Sequence, residues 1–404
     1  MNGHILDFYS YNSTHCFDPI YQGKNDYLPI VYLFFAIWNL PLYFFGLISD
    51  PEINGCLAST PFEIFWSKLL PVFMFYLCAV LVASSTNILS SKKSDGSSAK
   101  LLFFTSPIII FIVFIFSQYD IFGLFFVLLG LNYFLKKNIK LFILFFSIAI
   151  SFKYFAIIFF VPLIILIEKK LSKLLVYLLL ALSFTFAQIA LFWGDDIFRQ
   201  SFFTLAIHKL SGGISNSNIL YSRAFYIGVL LFFSTIYLYF KDYKKLSIEI
   251  YHRDIILIPI VFYGLLFLFV SPHPQWYLLP LAFFPLASLF IRNTKLFYSM
   301  DALGFLAFVW ICVNRWPNNI DYSMINHGFF YEFFNRPSFF GNFLMPKLIV
   351  PFFTVFFCFY IFSPLFYKKN REFKFNMISN YLLAFRYLSI YIFIIPSLFS
   401  VYLI

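Results

Sequence analysis

The sequence predicts an all-α, polytopic membrane protein, and three observations carry that reading. Of its 404 residues 61% are hydrophobic and only 12% charged, with a mean hydropathy of +0.83, whereas a soluble domain carries about 25% charged residues. The 64 Phe and 28 Tyr are too many for one soluble core. The apolar stretches are continuous rather than alternating, which fits helices crossing about 30 Å of hydrocarbon and excludes a transmembrane β-barrel. A soluble enzyme, a disordered chain and a disulfide scaffold are excluded with them. No stretch has the ordinary composition of a soluble domain, so residues 1–404 are read as one membrane domain.

The segments follow in order. Residues 1–27 form a polar, aromatic outer segment with a single basic residue, Lys24, and do not read as a secretory signal. Apolar segments, about 11 in all, cover 28–48, 65–89, 101–116, 119–135, 171–193, 224–240, 254–270, 277–291, 296–313, 346–366 and 377–403. They divide into a module of broken helices over 28–193, an outer loop at 194–222, helices over 224–313, a second outer loop at 314–345, and C-terminal helices over 346–404. The five cysteines, Cys16, Cys56, Cys78, Cys312 and Cys358, show no paired spacing and read as small buried hydrophobes.

Orientation follows from Lys and Arg. Six connections, 92–100, 136–140, 168–173, 241–254, 292–295 and 368–374, hold 19 of the 29 basic residues against 6 acidic ones. The net charge of +11 therefore sits between spans rather than on one face, which argues against nucleic acid and places these connections in the cytoplasm. The loops near 117–120, 194–222, 271–276 and 314–345 then face outward.

Two breaks follow from that topology. Residues 141–167 begin and end at cytoplasmic clusters, yet each arm is too short to span, so two half-length helices meeting near Lys153 are expected. Residues 101–116 and 119–135 form a second in-and-out pair turning at 117–120. Irregular backbone and ionisable groups at membrane depth survive only beside a polar cavity. Two spans at 28–48 and 65–89 would put 92–100 outside, so the first, interrupted by Pro29, Asn39 and Pro41, is read as broken or partly re-entrant.

Ionisable groups gather on the outer side: Asp7, Asp18 and Asp26; Asp195, Asp196, Arg199 and Arg223; His273; and Arg315. Each has a plain alternative. Asp7 reads also as a solvated carboxylate, Asp120 as a helix cap, Lys153 as a snorkelling cation, His273 as a loop histidine between two prolines, and Asp195-Asp196 as a helix-end charge pair. Trp276 and Tyr277 read as interfacial belt residues.

The order of these features resembles the GT-C superfamily of integral membrane glycosyltransferases, in particular the bacterial members that use polyprenyl-phosphate-linked sugars. The acidic, Tyr-rich segment Leu6-Asp7-Phe8-Tyr9-Ser10-Tyr11 runs through Tyr27-Leu28-Pro29 into an apolar stretch. Thr105-Ser106-Pro107 is followed by the polar turn Ser117-Gln118-Tyr119-Asp120. Ser151-Phe152-Lys153-Tyr154 is similar to the family's Lys-centred broken hairpin. Ser271-Pro272-His273-Pro274-Gln275-Trp276-Tyr277-Leu278-Leu279-Pro280 is near its Ser-Pro-Gln-Tyr-Leu-Leu-Trp pattern. The resemblance covers most of residues 5–290. It departs at the start, where the family's Tyr-Pro-Pro is reduced to one proline and its first membrane helix has no counterpart ahead of the acidic segment. Either the natural start lies upstream or the chain is a shortened form.

The resemblance implies a multi-pass plasma-membrane protein with an outward-facing cavity. There a hexose passes, by inverting displacement, from a polyprenyl-phosphate donor to a lipid-linked or cell-surface glycan acceptor. One carboxylate must deprotonate the acceptor hydroxyl and cations must meet the departing phosphate. It implies Asp7 as the base, with Asp18 and Asp26 in reserve. Lys153, His273, Arg223 and Gln275 fall on the donor, with Asp120, Arg199 and Arg315 as secondary candidates. No cofactor or metal is expected, because the donor carries one phosphate. Rival readings are a flippase or transporter of lipid-linked sugars, a polysaccharide polymerase, and a non-catalytic assembly subunit. A transporter would show repeats between chain halves, and none is evident.

Overall fold

Proline and capping signals set where the helices begin. In a computed structural model, residues 28–48, 60–90, 93–115, 119–202, 223–242, 247–269, 274–290, 294–315 and 377–389 are described. All their regular structure is helical, with no strand among the described residues. Thr60 and Glu63 form a capping box: the Glu63 N–H donates to Thr60 Oγ1 at 3.2 Å, and the Thr60 N–H donates to Glu63 Oε2 at 2.6 Å. Pro61 then opens a helix reaching Leu89.

This helix and Leu171–Phe192 are long and apolar enough to cross a membrane. A third candidate is Asp95–Phe104 with Pro107–Ile115, bent by 47° between them. Shorter apolar helices cover Pro29–Phe44, Asp120–Leu135, Ile139–Phe152 and Tyr154–Ile167. Leu171–Phe192 leaves Leu175, Val176, Leu179, Leu180 and Phe186 exposed, a face that lipid solvates and water does not.

Several segments differ from the sequence expectation, each for a local reason. The span expected at 101–116 instead starts at Lys93 and breaks at Thr105-Ser106. Pro107 has no N–H to continue the ladder and drives Ser106 to extended backbone at φ −70°, ψ 111°. After Pro107–Ile110 the chain widens into a π-helical turn over Phe111–Ile115. The segment expected to break at Asn39 and Pro41 is one helix, Pro29–Phe44. Its 16 residues reach only about 24 Å, short of a span. The span expected at 277–291 is a chain of short turns, Pro274–Tyr277, Leu278–Leu281, Phe284–Ala287 and Ser288–Phe290, interrupted at Ala282-Phe283, with Pro280 and Pro285 each removing a backbone donor. The break expected at Lys153 is present: Ile139–Phe152 ends there, a 3-10 turn follows over Tyr154–Ala156, and Ile157–Ile167 resumes. Helices also cover Arg223–Phe240, Ile248–Phe269, Thr294–Arg315 and Met377–Ser389. Residues 346–366 lie outside the described residues.

Packing centres on the hairpin of Asp120–Leu135 with Ile139–Phe152. Asn138 caps its second arm, its Oδ1 accepting from the Leu141 N–H at 3.2 Å. Asn132 donates to Ser84 Oγ at 2.8 Å, tying the hairpin to Pro61–Leu89. On the other side Ser147 and Ser151 meet Ser183 and Thr185 of Leu171–Phe192 at 3.4 and 3.1 Å. Gln188 reaches from that helix to accept the Ile30 N–H at 2.8 Å. Between these polar stitches lie stacked rings, Phe142 on Phe160 at 5.2 Å and Phe159 between Tyr263 and Phe283 at 4.5 and 4.7 Å. Cys78 and Cys312 are buried, as small apolar residues would be.

One of two glycines in the hairpin is needed for it to close. A Cβ on Gly130 would lie 2.6 Å from Phe146 Cδ2, whereas one on Gly123 would meet Lys153 Cβ at 3.4 Å, an ordinary contact. Phe146 is buried and packed against Phe142 and Phe160, so its ring has nowhere to go. Gly130→Ala should destabilise the protein by about 1–3 kcal/mol, lowering the thermal midpoint of the purified chain. Gly123→Ala should leave it near the wild-type value, and equal midpoints for the two variants would contradict the packing.

Candidate functional site

Lys153 stands at the break rather than within a helix. Its backbone is extended, at φ −149° and ψ 104°. Its N–H donates to the Ala149 carbonyl at 2.8 Å and its own carbonyl accepts from Ala156 at 2.9 Å. The break thus keeps its main-chain bonds while releasing the side chain sideways, toward the start of Asp120–Leu135. There Lys153 Nζ lies 2.6 Å from Asp120 Oδ1. Both residues are buried, Lys153 9% and Asp120 3% exposed. The ammonium also sits 5.7 Å from the centre of the Tyr119 ring.

Asp120 occupies the first turn of its helix, where a carboxylate also meets the positive end of the helix dipole. Charge at this N-terminus is therefore held from two sides, by the dipole and by the lysine. Gly123 lies beside the break: a Cβ there would touch the Lys153 and Phe152 Cβ atoms at 3.4 and 3.5 Å, ordinary contact distances. The ammonium that the sequence left without an anion has one supplied by the chain itself.

The turn Pro274–Tyr277 reaches the same break. Trp276 packs on Phe155 at 4.2 Å between ring centres, and Phe155 stacks on Tyr154 at 4.3 Å. Tyr263 donates its hydroxyl to the Phe155 carbonyl at 2.8 Å, fixing the turn after Lys153. Gln275, beside Trp276, is 8% exposed, and its Oε1 has no hydrogen-bond partner among the described residues. A buried amide oxygen left this way is where a water or ligand donor is expected. Trp276, read as a belt residue, is thus a packing residue against the break.

Other expected residues fall elsewhere. Asp195 accepts from the Ile197 and Phe198 N–H groups at 2.9 and 3.1 Å, capping the helix over 196–202. Asp196 pairs with Arg199, which also donates to the Trp193 carbonyl at 3.1 Å. That is the helix-end arrangement rather than a metal pair, and it engages Arg199 locally. Arg223 begins Arg223–Phe240 and Arg315 ends Thr294–Arg315, their side chains outside the described residues. Asp7, Asp18, Asp26 and His273 also lie outside them.

The sequence reading passed over a second buried pair. Arg386 of Met377–Ser389 is bonded to Asp301 of Thr294–Arg315. It also donates from Nε to Thr105 Oγ1 at 3.1 Å and to the Leu102 carbonyl at 2.6 Å, bracing the break before Pro107. An arginine and an aspartate inside apolar segments are themselves the signal that would have found it.

No protein-family model, curated protein or solved structure matches this chain. The site is therefore judged on its own geometry, a buried lysine–carboxylate pair joining a helix break to the first turn of another helix, flanked by aromatics and by an amide oxygen unpartnered among the described residues. Removing one member of a buried pair costs about 3–5 kcal/mol, while replacing both with apolar groups is near neutral. Asp120→Asn should accordingly lower the thermal midpoint strongly, and Asp120→Leu combined with Lys153→Met should recover most of the loss. A double variant as unstable as the two single losses added would show that the residues do not act as a pair.

Proposed function

We propose that this chain is a multi-pass membrane glycosyltransferase of the cell envelope, of GT-C type, which takes a hexose from a polyprenyl-phosphate donor on the outer face. The single observation that carries the reading is the buried Lys153–Asp120 contact between a helix break and the first turn of Asp120–Leu135. Most of the membrane helices need no ionisable group, and a chain that keeps one at such a break has a use for local charge.

In this reading Asp120 holds the lysine in place before donor binds. When donor binds, the ammonium turns part of its charge to the phosphate. The acceptor hydroxyl oxygen then attacks the anomeric carbon, its proton passes to a carboxylate, and the bond to the phosphate oxygen breaks with inversion. Asp7 is the proposed base, with His273 and Arg223 as further cations on the leaving phosphate. Gln275 offers its free oxygen to a sugar hydroxyl, and the product lipid leaves as a phosphate monoester. No metal is invoked.

Purified protein incubated with labelled polyprenyl-phosphate hexose and a glycan acceptor tests the proposal. Lys153→Gln should lower kcat by about 10²–10³, the usual cost of removing one group that stabilises developing charge. Asp7→Asn should lower it by about 10²–10⁴ with insertion and folding unchanged, as for loss of a general base. Label that crosses vesicles without being transferred would replace the enzyme with a flippase. A Lys153→Gln variant of full activity would leave the pair a structural clamp.

A further inference from the structure

A second feature lies away from the Lys153 break. Between Pro61–Leu89 and the bent pair Asp95–Phe104 with Pro107–Ile115 runs a groove of about 410 Å³, lined by Phe75, Tyr76, Leu101, Phe104, Phe114 and Tyr387 among others. Its volume lies in the range of small-molecule sites, and its lining surface is wholly apolar. Tyr76 and Leu101 are exposed at its edge, so the groove opens on the outer surface of the helices most suited to cross a membrane.

One cation stands over this groove. Lys100 Nζ lies 5.2 Å from the centre of the Tyr76 ring and 5.6 Å from that of Phe104, both groove residues. Lys100 is half-buried and forms no ion pair among the described residues. The two rings hold the ammonium over the apolar trough without neutralising it. Lys100 lies about two turns into the helix that begins at Lys93, in a basic stretch with Lys92 and Lys93 that the charge asymmetry assigns to the cytoplasmic leaflet. That leaflet carries the anionic lipids, and basic residues at the ends of membrane helices attract them.

We infer that the groove is a binding site for an anionic diacyl phospholipid of the cytoplasmic leaflet, one acyl chain lying against Phe75, Leu101 and Phe104 and the phosphate meeting Lys100. The charge decides the occupant. A neutral lipid or an apolar helix of a partner would fill the trough but leave the ammonium without a counterion. The inference rests on the membrane reading alone and stands or falls apart from sugar transfer, since none of these residues belongs to the Lys153 site. Thr105 joins the two features structurally. It lines the groove and accepts from Arg386, so a seated lipid would support the break that Arg386 braces.

Native mass spectrometry of the full-length protein, titrated in detergent with phosphatidylglycerol or phosphatidylcholine, tests this. One phosphatidylglycerol should be retained in preference to phosphatidylcholine. Lys100→Gln should weaken that retention about fivefold, the effect of one lysine at an anionic surface, while Lys100→Arg keeps it. Leu101→Trp, which fills the groove, should reduce retention of both lipids. Lys140→Gln, in a different basic connection, should change nothing. Because Lys100→Gln and Lys100→Arg differ only in charge at the same place, their contrast does not depend on whether the tryptophan variant folds. Equal retention of the two lipids, or an unaltered Lys100→Gln variant, would overturn the proposal. So would stoichiometric displacement of phosphatidylglycerol by polyprenyl phosphate, which would assign the groove to a donor lipid instead.

Discussion

The contact between Lys153 and Asp120 is the constraint on which the rest of the structure depends. A lysine buried among phenylalanines is tolerated only when a counter-charge meets it, and the nearest carboxylate stands at the first turn of another helix. Meeting it requires that the chain break after Phe152 and that Asp120 begin its helix beside that break. The surrounding rings, Phe34, Phe122, Phe126 and Phe152, then pack on one another around the hairpin.

The second pair, Arg386 with Asp301, stands at the other break. A proline halts the helix at Phe104, and the freed groups of Leu102 and Thr105 are taken up by a guanidinium from the C-terminal helix. Each break thus sits beside a buried ion pair, but the two are held differently. The one at Lys153 keeps its main-chain bonds and takes a donor from Tyr263, while before Pro107 a guanidinium from a distant helix meets the Leu102 carbonyl and the Thr105 hydroxyl. This is how irregular backbone persists at membrane depth. It also gives the bundle its specificity, since apolar faces alone slide past one another while a buried pair has one register.

Much of this was legible in the sequence. Composition alone gave the helical membrane class, and the basic connections flanking 141–167 required a break near Lys153, which is where it lies. Asp195-Asp196 was correctly weighed as a helix-end pair. What escaped was of another kind. The partner of Lys153 could not be read because it depends on which helices pack, and a carboxylate 33 positions earlier in the chain carries no sign of that contact. Arg386 and Asp301 were legible as ionisable residues in apolar runs, but the runs were read for length rather than for their exceptions. The segment 277–291 looked like a span because hydropathy counts Pro280 and Pro285 as mild residues, whereas each removes a backbone donor from the helical ladder and the helix is cut into short turns. Pro41 shows the converse, a proline that the helix Pro29–Phe44 absorbs.

A charged junction of this kind is useful for chemistry only if water and a polar substrate reach it, and from the outer side. Tyr154, next to Lys153, is 39% exposed, so its side chain reports on what lies beside the break. The most direct measurement is the reactivity of Tyr154→Cys, in a chain whose five native cysteines are replaced by alanine, toward a membrane-impermeant thiol reagent in sealed vesicles of known orientation. An outward-opening, water-filled chamber predicts rapid labelling from the outer face, slowed by a polyprenyl-phosphate sugar. Labelling only from the inner face, or only by lipid-soluble reagents, would mean that the break faces cytoplasm or hydrocarbon, and the proposed site would not exist.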